Sequence, residues 1–224
     1  MNLRKSLAIA AIAAGFGFFG CGENLLALSA PAGQAEFYKT GVKNTFTVPD
    51  GVTTIRVFVY GAGGGAGSSL SDSQPGLNGG SGAFVEAVIS VTPGAKLTVL
   101  VGAGGIGGKP HELGPGQAGG ASQVLNESNE VIVSAGGGGA GTGCEKCSST
   151  VHVGTAGIAG KAPAGSFLHD GSDGSACGGG STRCGYALSS FTADVDFAGR
   201  GFNNGNVDET ETIDGIQGYV YFEW

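Results

Sequence analysis

Val57-Phe58-Val59-Tyr60-Gly61-Ala62-Gly63-Gly64-Gly65-Ala66-Gly67 carries a strand pattern straight into glycine. Just upstream, Ile55, Val57 and Val59 fall on one face of an extended chain, with Arg56, Phe58 and Tyr60 on the other. The glycines that follow have no side chain to pack, and each costs about 0.5–1 kcal/mol relative to Ala in a regular element. Neighbouring chain must compensate. The same junction recurs where Leu97 to Val101 enters 102–108 and where Val131 to Ser134 enters 136–141, which makes a weak internal repeat.

The compensation is visible in Gly154-x-x-Gly157-x-x-Gly160 and in Gly171-x-x-Gly174. A spacing of three matches an extended left-handed helix with three residues per turn. With glycine along one edge, several such helices can approach closely and bond N–H to C=O between neighbours, as buried backbone requires. The sequence therefore points to bundled helices of the polyglycine II type. The alternative is flexible glycine linker, but linkers seldom carry apolar residues such as Val151, Ile158, Phe167 and Leu168.

Further strand patterns lie at Thr45 to Val48, Phe84 to Val91, Leu97 to Val101, Val131 to Val133 and Tyr219 to Trp224. Pro49-Asp50-Gly51 and Thr92-Pro93-Gly94 supply turns, and residues 126–130 another. Val220, Phe222 and Trp224 share a face, so the last residue is expected to pack. No stripe of period 3.6 occurs beyond residue 20. These features predict an all-β fold, an antiparallel β-sandwich of jelly-roll type with long glycine-rich loops.

Although 47 of 224 residues are Gly, 41% of the chain is apolar and only 13% charged, the opposite of a disordered composition. Residues 1–20 read as a targeting segment: Arg4 and Lys5, an apolar run from Leu7 to Phe19, then Gly20. Phe18-Phe19-Gly20-Cys21 resembles a bacterial lipobox, which would make Cys21 a lipidation site; the alternative is an ordinary leader cut near Ala27 to Ala30. Either way the chain is expected to be exported, to the cell envelope or outer membrane as a lipoprotein or into the medium. Residues 21–36 read as a flexible tether and 37–224 as the glycine-rich domain. Loss of the leader leaves nine basic residues against 18 acidic. Scattered single cations in an acidic chain argue against nucleic acid, and membrane contact is expected only through the Cys21 anchor.

Thr45-Phe46-Thr47-Val48-Pro49-x-Gly51-Val52-Thr53, the Gly61-Ala62-Gly63-Gly64-Gly65 junction, Leu97 to Gly105, Val131 to Ala140 and the closing Gly218-Tyr219-Val220-Tyr221-Phe222-Glu223-Trp224 together resemble the bacterial and phage glycine-rich domain family. More distantly, the pattern is similar to the glycine-rich domains of phage tail-tip adhesins. The resemblance covers about 45–224. It implies a β-sandwich carrying bundled polyglycine-type helices and a role in surface recognition, and it supplies no catalytic residues. The region 143–186 departs from the common pattern.

Gly102-x-Gly104-x-x-Gly107 follows a strand as a dinucleotide fingerprint would, but the next residues, Gly108-Lys109-Pro110-His111-Glu112-Leu113-Gly114-Pro115-Gly116, cannot open a phosphate-binding helix. No Gly-x-Ser-x-Gly or P-loop occurs, and His111, His152 and His169 sit in glycine-rich surroundings. No catalytic residue, cofactor site or metal site is expected. Cys144, Cys147, Cys177 and Cys184 form an even set in an exported chain, which favours disulfides, with local and crossed pairings both open. A four-cysteine zinc site is the competing reading; Cys144-x-x-Cys147 fits one, while the Cys177 to Cys184 spacing does not. Asp170, Asp173, Asp208, Glu209, Glu211 and Asp214 match no calcium loop and read as a solvated face.

The expected function is that of an exported, non-enzymatic binding or adhesion module whose partner is a cell-surface protein or glycan. Its contacts are expected in the glycine-rich loops, where Leu70, Leu77, Phe167, Tyr186 and Phe191 are the apolar candidates. The alternatives are a purely structural envelope lipoprotein and an ice-binding protein.

Overall fold

The computed structural model of the chain describes residues 32–68, 70, 77–109, 111–143, 155–171, 174 and 214–224. The strands are β1 (Gln34–Phe37), β2 (Asn44–Thr47), β3 (Thr54–Tyr60), β4 (Phe84–Ser90), β5 (Lys96–Leu100), β6 (Ser122–Leu125), β7 (Val131–Ala135), β8 (Phe167–His169) and β9 (Tyr219–Glu223). They form a five-stranded sheet in the order β1-β9-β3-β4-β8 and a four-stranded sheet in the order β2-β5-β6-β7. All pairings within them are antiparallel. The expected all-β sandwich is what the chain adopts.

The period-two reading of β3 holds side chain by side chain: Ile55, Val57 and Val59 are fully buried. They pack in one core with Val85, Ala87 and Ile89 of β4, Val220 and Phe222 of β9, and Leu97, Val99, Val124 and Val133 from the opposite sheet. Phe46 of β2 meets Phe222 at 5.1 Å between ring centroids, and Phe37 of β1 meets it at 5.2 Å. This aromatic contact ties one sheet to the other. The Pro49-Asp50-Gly51 turn closes with Val52 N–H donating to the Pro49 carbonyl at 3.2 Å, and Gly51 takes φ 81°. The turn at 126–130 joins β6 to β7, with the Asn126 side-chain oxygen accepting from Glu130 N–H at 2.9 Å.

The tether expectation needs correction at its C-terminal end. Residues 34–37 are strand β1, one edge of the larger sheet, and even Gly33 is held, exchanging backbone bonds of 2.8 and 3.0 Å with Trp224. The physical reason is the exposed ladder of β9, which any short extended segment can complete. Trp224 packs against the core as expected, its ring 5.2 Å from that of Phe46.

Candidate functional site

Four times, among the described residues, the chain leaves a sheet as a glycine-rich segment from one common end of the sandwich. β3 continues into 61–68 and 77–83 returns to β4; β5 continues into 102–108 and 114–121 returns to β6. β7 continues into 136–143 with 155–160 returning towards β8, and β8 continues to 171 and 174 with 214–218 returning to β9. Registers fix the common end: Tyr60 pairs with Phe84 and Tyr219, and Phe84 with His169.

Hydrogen bonding between these segments repeats every third residue. From the central 61–68 segment, Gly61, Gly64 and Gly67 donate to Ala83, Gly80 and Leu77. Ala62, Gly65 and Ser68 donate to Gly120, Gln117 and Gly114, and Gly63 donates to Ile216. In return, Ala62 and Gly65 carbonyls accept from Gly138 and Gly141, while Gly63 and Ala66 accept from Gly105 and Gly108. Successive residues thus address different neighbours in rotation, which is the threefold repeat of a polyglycine II-type helix. Among the described residues, five segments bond to the central one, and four of their contacts with one another are also bonded: 77–83 to 136–143, 136–143 to 114–121, 114–121 to 102–108, and 102–108 to 214–218. At about 3.1 Å per residue, the eight residues 61–68 carry the lattice about 25 Å from the sheets.

The lattice absorbs motifs that looked chemical in the sequence. Gly102 and Gly104 of the apparent dinucleotide fingerprint, and Gly105 beside them, lie against the backbones of Gly120, Gly215 and Gln117, where a Cβ would collide. Asp214 accepts a bond from Gly107 N–H at 2.8 Å and Asp170 one from Ala159 N–H at 2.7 Å. Each carboxylate stands where a neighbouring helix would place a carbonyl. Among the described residues, no cluster of three or more His, Cys, Asp or Glu is placed to hold a metal ion.

Of the candidate contact residues, Leu70 and Phe167 are exposed; the Phe167 ring lies 6.1 Å from Phe84 and 6.5 Å from His169. Leu77 is a correction: it is buried. It begins a lattice segment, its N–H donating to Thr142 and its carbonyl accepting from Gly67, so its side chain is drawn in with its backbone. Tyr186, Phe191, Cys21, Cys144, Cys147, Cys177 and Cys184 lie outside the described residues. Sequence reasoning missed exposed Ile106 and Leu113. For Ile106 a signal exists, since Ala103, Ile106 and Lys109 are spaced by three and all three are exposed. At the far end of the central segment, the Ser68 hydroxyl donates to the carbonyls of Glu112 and Gly114 at 2.5 and 3.3 Å, fixing the chain beside Leu113.

The outer face of the five-stranded sheet is aromatic and acidic. Phe58, Tyr60 and Phe84 are buried there, with Tyr219 and Tyr221 packed beside them. Arg56 lies 4.9 Å over the Phe58 ring, pairs with Glu86, and reaches Glu223 at 3.9 Å. Burial, then the charge of Glu36 and a hydrogen bond to it, hold the Tyr219 hydroxyl well above the usual phenol range. A folded-state pKa above the unfolded value near 10 gives stability that is complete below about pH 10 and is lost as the pH rises beyond it. Tyr219→Phe is expected to flatten the fall in unfolding midpoint above pH 10. A pH profile identical to that of the unsubstituted protein would show that Tyr219 does not carry it.

A family model described as a glycine-rich domain matches residues 39–221. A search of curated proteins returned no match.

Proposed function

Because the chain belongs to the glycine-rich domain family, we propose that it is an exported display module. On this reading the sandwich is a rigid base, and the far ends of the glycine helices make the contact with a cell-surface protein or glycan, without catalysis. The observation that carries the reading is polarity. β1 enters the larger sheet with Gln34 opposite Glu223 and leaves with Phe37 opposite Val220, whereas the lattice springs from the Tyr60–Tyr219 end. The N-terminal segment therefore joins the domain at the pole away from the lattice. With Cys21 lipidated, that segment anchors one pole and presents the other.

Exposed Leu70 and Leu113 belong to the connections at the presented pole, and such loops on a rigid scaffold are where binding residues collect. Cys144 and Cys147 fall between Gly143 and Thr155, and Cys177 and Cys184 between Gly174 and Asp214. Disulfides among them, formed in an oxidising compartment, would brace the same connections.

The test is binding of labelled full-length protein to intact bacterial cells and to immobilised glycans. Leu70→Asp combined with Leu113→Asp is expected to remove most of that binding while changing stability by no more than about 0.5 kcal/mol per site, as for ordinary surface substitutions. Undiminished binding by the double variant overturns the assignment of the contact to this pole. Failure of the unsubstituted protein to bind either probe favours a structural envelope role instead.

A further inference from the structure

β1 is fastened to β9 at almost every position. Gly33 exchanges two backbone hydrogen bonds with Trp224, and the Trp224 indole lies so close over Gly33 that a Cβ there would meet ring atoms at 2.5–2.8 Å. Tyr221 donates its hydroxyl proton to the Gln34 side-chain oxygen at 3.0 Å. Glu36 is hydrogen-bonded to Tyr219. The Phe37 ring sits edge-on to Phe222 and to Phe46. An edge strand of four residues held only by its ladder would be marginal; this one has side-chain bonds and ring contacts along its whole length.

The direction of β1 decides how it bears load. Antiparallel ladder bonds lie perpendicular to the strands. A pull applied at residue 32 and resisted at the far end of the lattice runs along the strand axis, because Gly33 is at the pole opposite the lattice. All β1–β9 bonds then load together, in shear. A pull that separates Gly33 from Trp224 acts differently: these two residues are opposite each other at the end of the ladder, so the pairs break in succession.

We infer that β1 and β9 form a shear-loaded clasp, with Gly33 and Trp224 as its terminal pair, that transmits tension from the N-terminal segment into the sandwich. This rests on the reading that the N-terminal segment tethers the protein, but the mechanical asymmetry belongs to the fold and is measured separately from any ligand binding. The experiment is single-molecule pulling of the full chain with one peptide handle ahead of Cys21. The second handle is either inserted between Glu112 and Leu113 or placed after Trp224. The expected result is at least a doubled rupture force in the first geometry. Trp224→Ala, in a chain that still unfolds cooperatively, lowers that force while leaving the second geometry nearly unchanged. Equal forces in the two geometries, or a higher force when the two termini are pulled apart, overturn the clasp. Loss of cell binding in the loop variants, with the force asymmetry intact, would implicate the display pole alone.

Discussion

Gly64→Val is expected to destabilise the protein by about 3 kcal/mol or more. Gly64 N–H donates to the Gly80 carbonyl at 2.9 Å, and Gly80 N–H donates to the Gly139 carbonyl at 2.9 Å. A Cβ on Gly64 would collide with that same Gly139 carbonyl, with its carbon at 2.7 Å. Gly139 cannot retreat freely, since its own N–H is bonded to Thr155 at 2.8 Å. One branched side chain therefore strains a closed set of three backbones. Each buried hydrogen bond lost removes about 0.5–1.5 kcal/mol net, and overpacking adds about 1–3 kcal/mol.

Position in the lattice sets the gradation. Gly157→Val meets the Gly136 carbonyl oxygen at 2.5 Å, Ala83 N at 2.9 Å and Gly137 C at 3.0 Å, but it lies in an outer segment that can shift towards solvent, so a loss of about 1–3 kcal/mol is expected there. Gly114→Ala has only the Ser68 hydroxyl oxygen, at 3.9 Å, near its new methyl, and should stay within about 0.5 kcal/mol. Gly33, which as a tether glycine would be indifferent to substitution, is not, because the Trp224 indole covers it. Flexible glycine linkers predict the opposite sign, a small stabilisation through the unfolded chain. Urea unfolding of these variants separates the two, and an unchanged midpoint for Gly64→Val would sink the lattice.

What is legible in the sequence is whatever repeats. β3 alternates over enough residues to declare its inner face, and the spacing of three around Gly157 declares a threefold helix. What escapes is short or irregular. β8 is three residues and β1 four, too few to show a period and ordered by a neighbouring strand. β6 is hidden for a different reason: Ser122 points inward where alternation calls for an apolar residue, because its hydroxyl accepts the Gly102 N–H at 3.0 Å at the mouth of the lattice. Leu77 misleads because an apolar residue beside glycine looks exposed in one dimension. Which side of a threefold helix faces solvent depends on how many neighbours surround it, and only the three-dimensional lattice supplies that number.

Phe222→Ala is expected to cost about 3–5 kcal/mol, the range for emptying a large buried aromatic site. Phe222 is fully buried on β9, and its ring is shared between Phe37 on the same sheet and Phe46 on the opposite one, in edge-on contacts of 5.2 and 5.1 Å. Each such pair contributes about 0.5–1.5 kcal/mol beyond the area it buries, so truncation removes burial and both ring contacts together. The cavity would collapse poorly, because the neighbouring Val57 and Val220 are fixed by sheet ladders on either side. Val88→Ala on β4 is the matched comparison: Val88 is 62% exposed, and its loss should stay near 0.5 kcal/mol. Because a domain's whole stability is about 5–15 kcal/mol, the Phe222 variant should melt far earlier. Its denaturant slope should be unchanged, since the same surface is exposed on unfolding. A loss no larger than that of Val88→Ala would mean that the two sheets do not meet at Phe222.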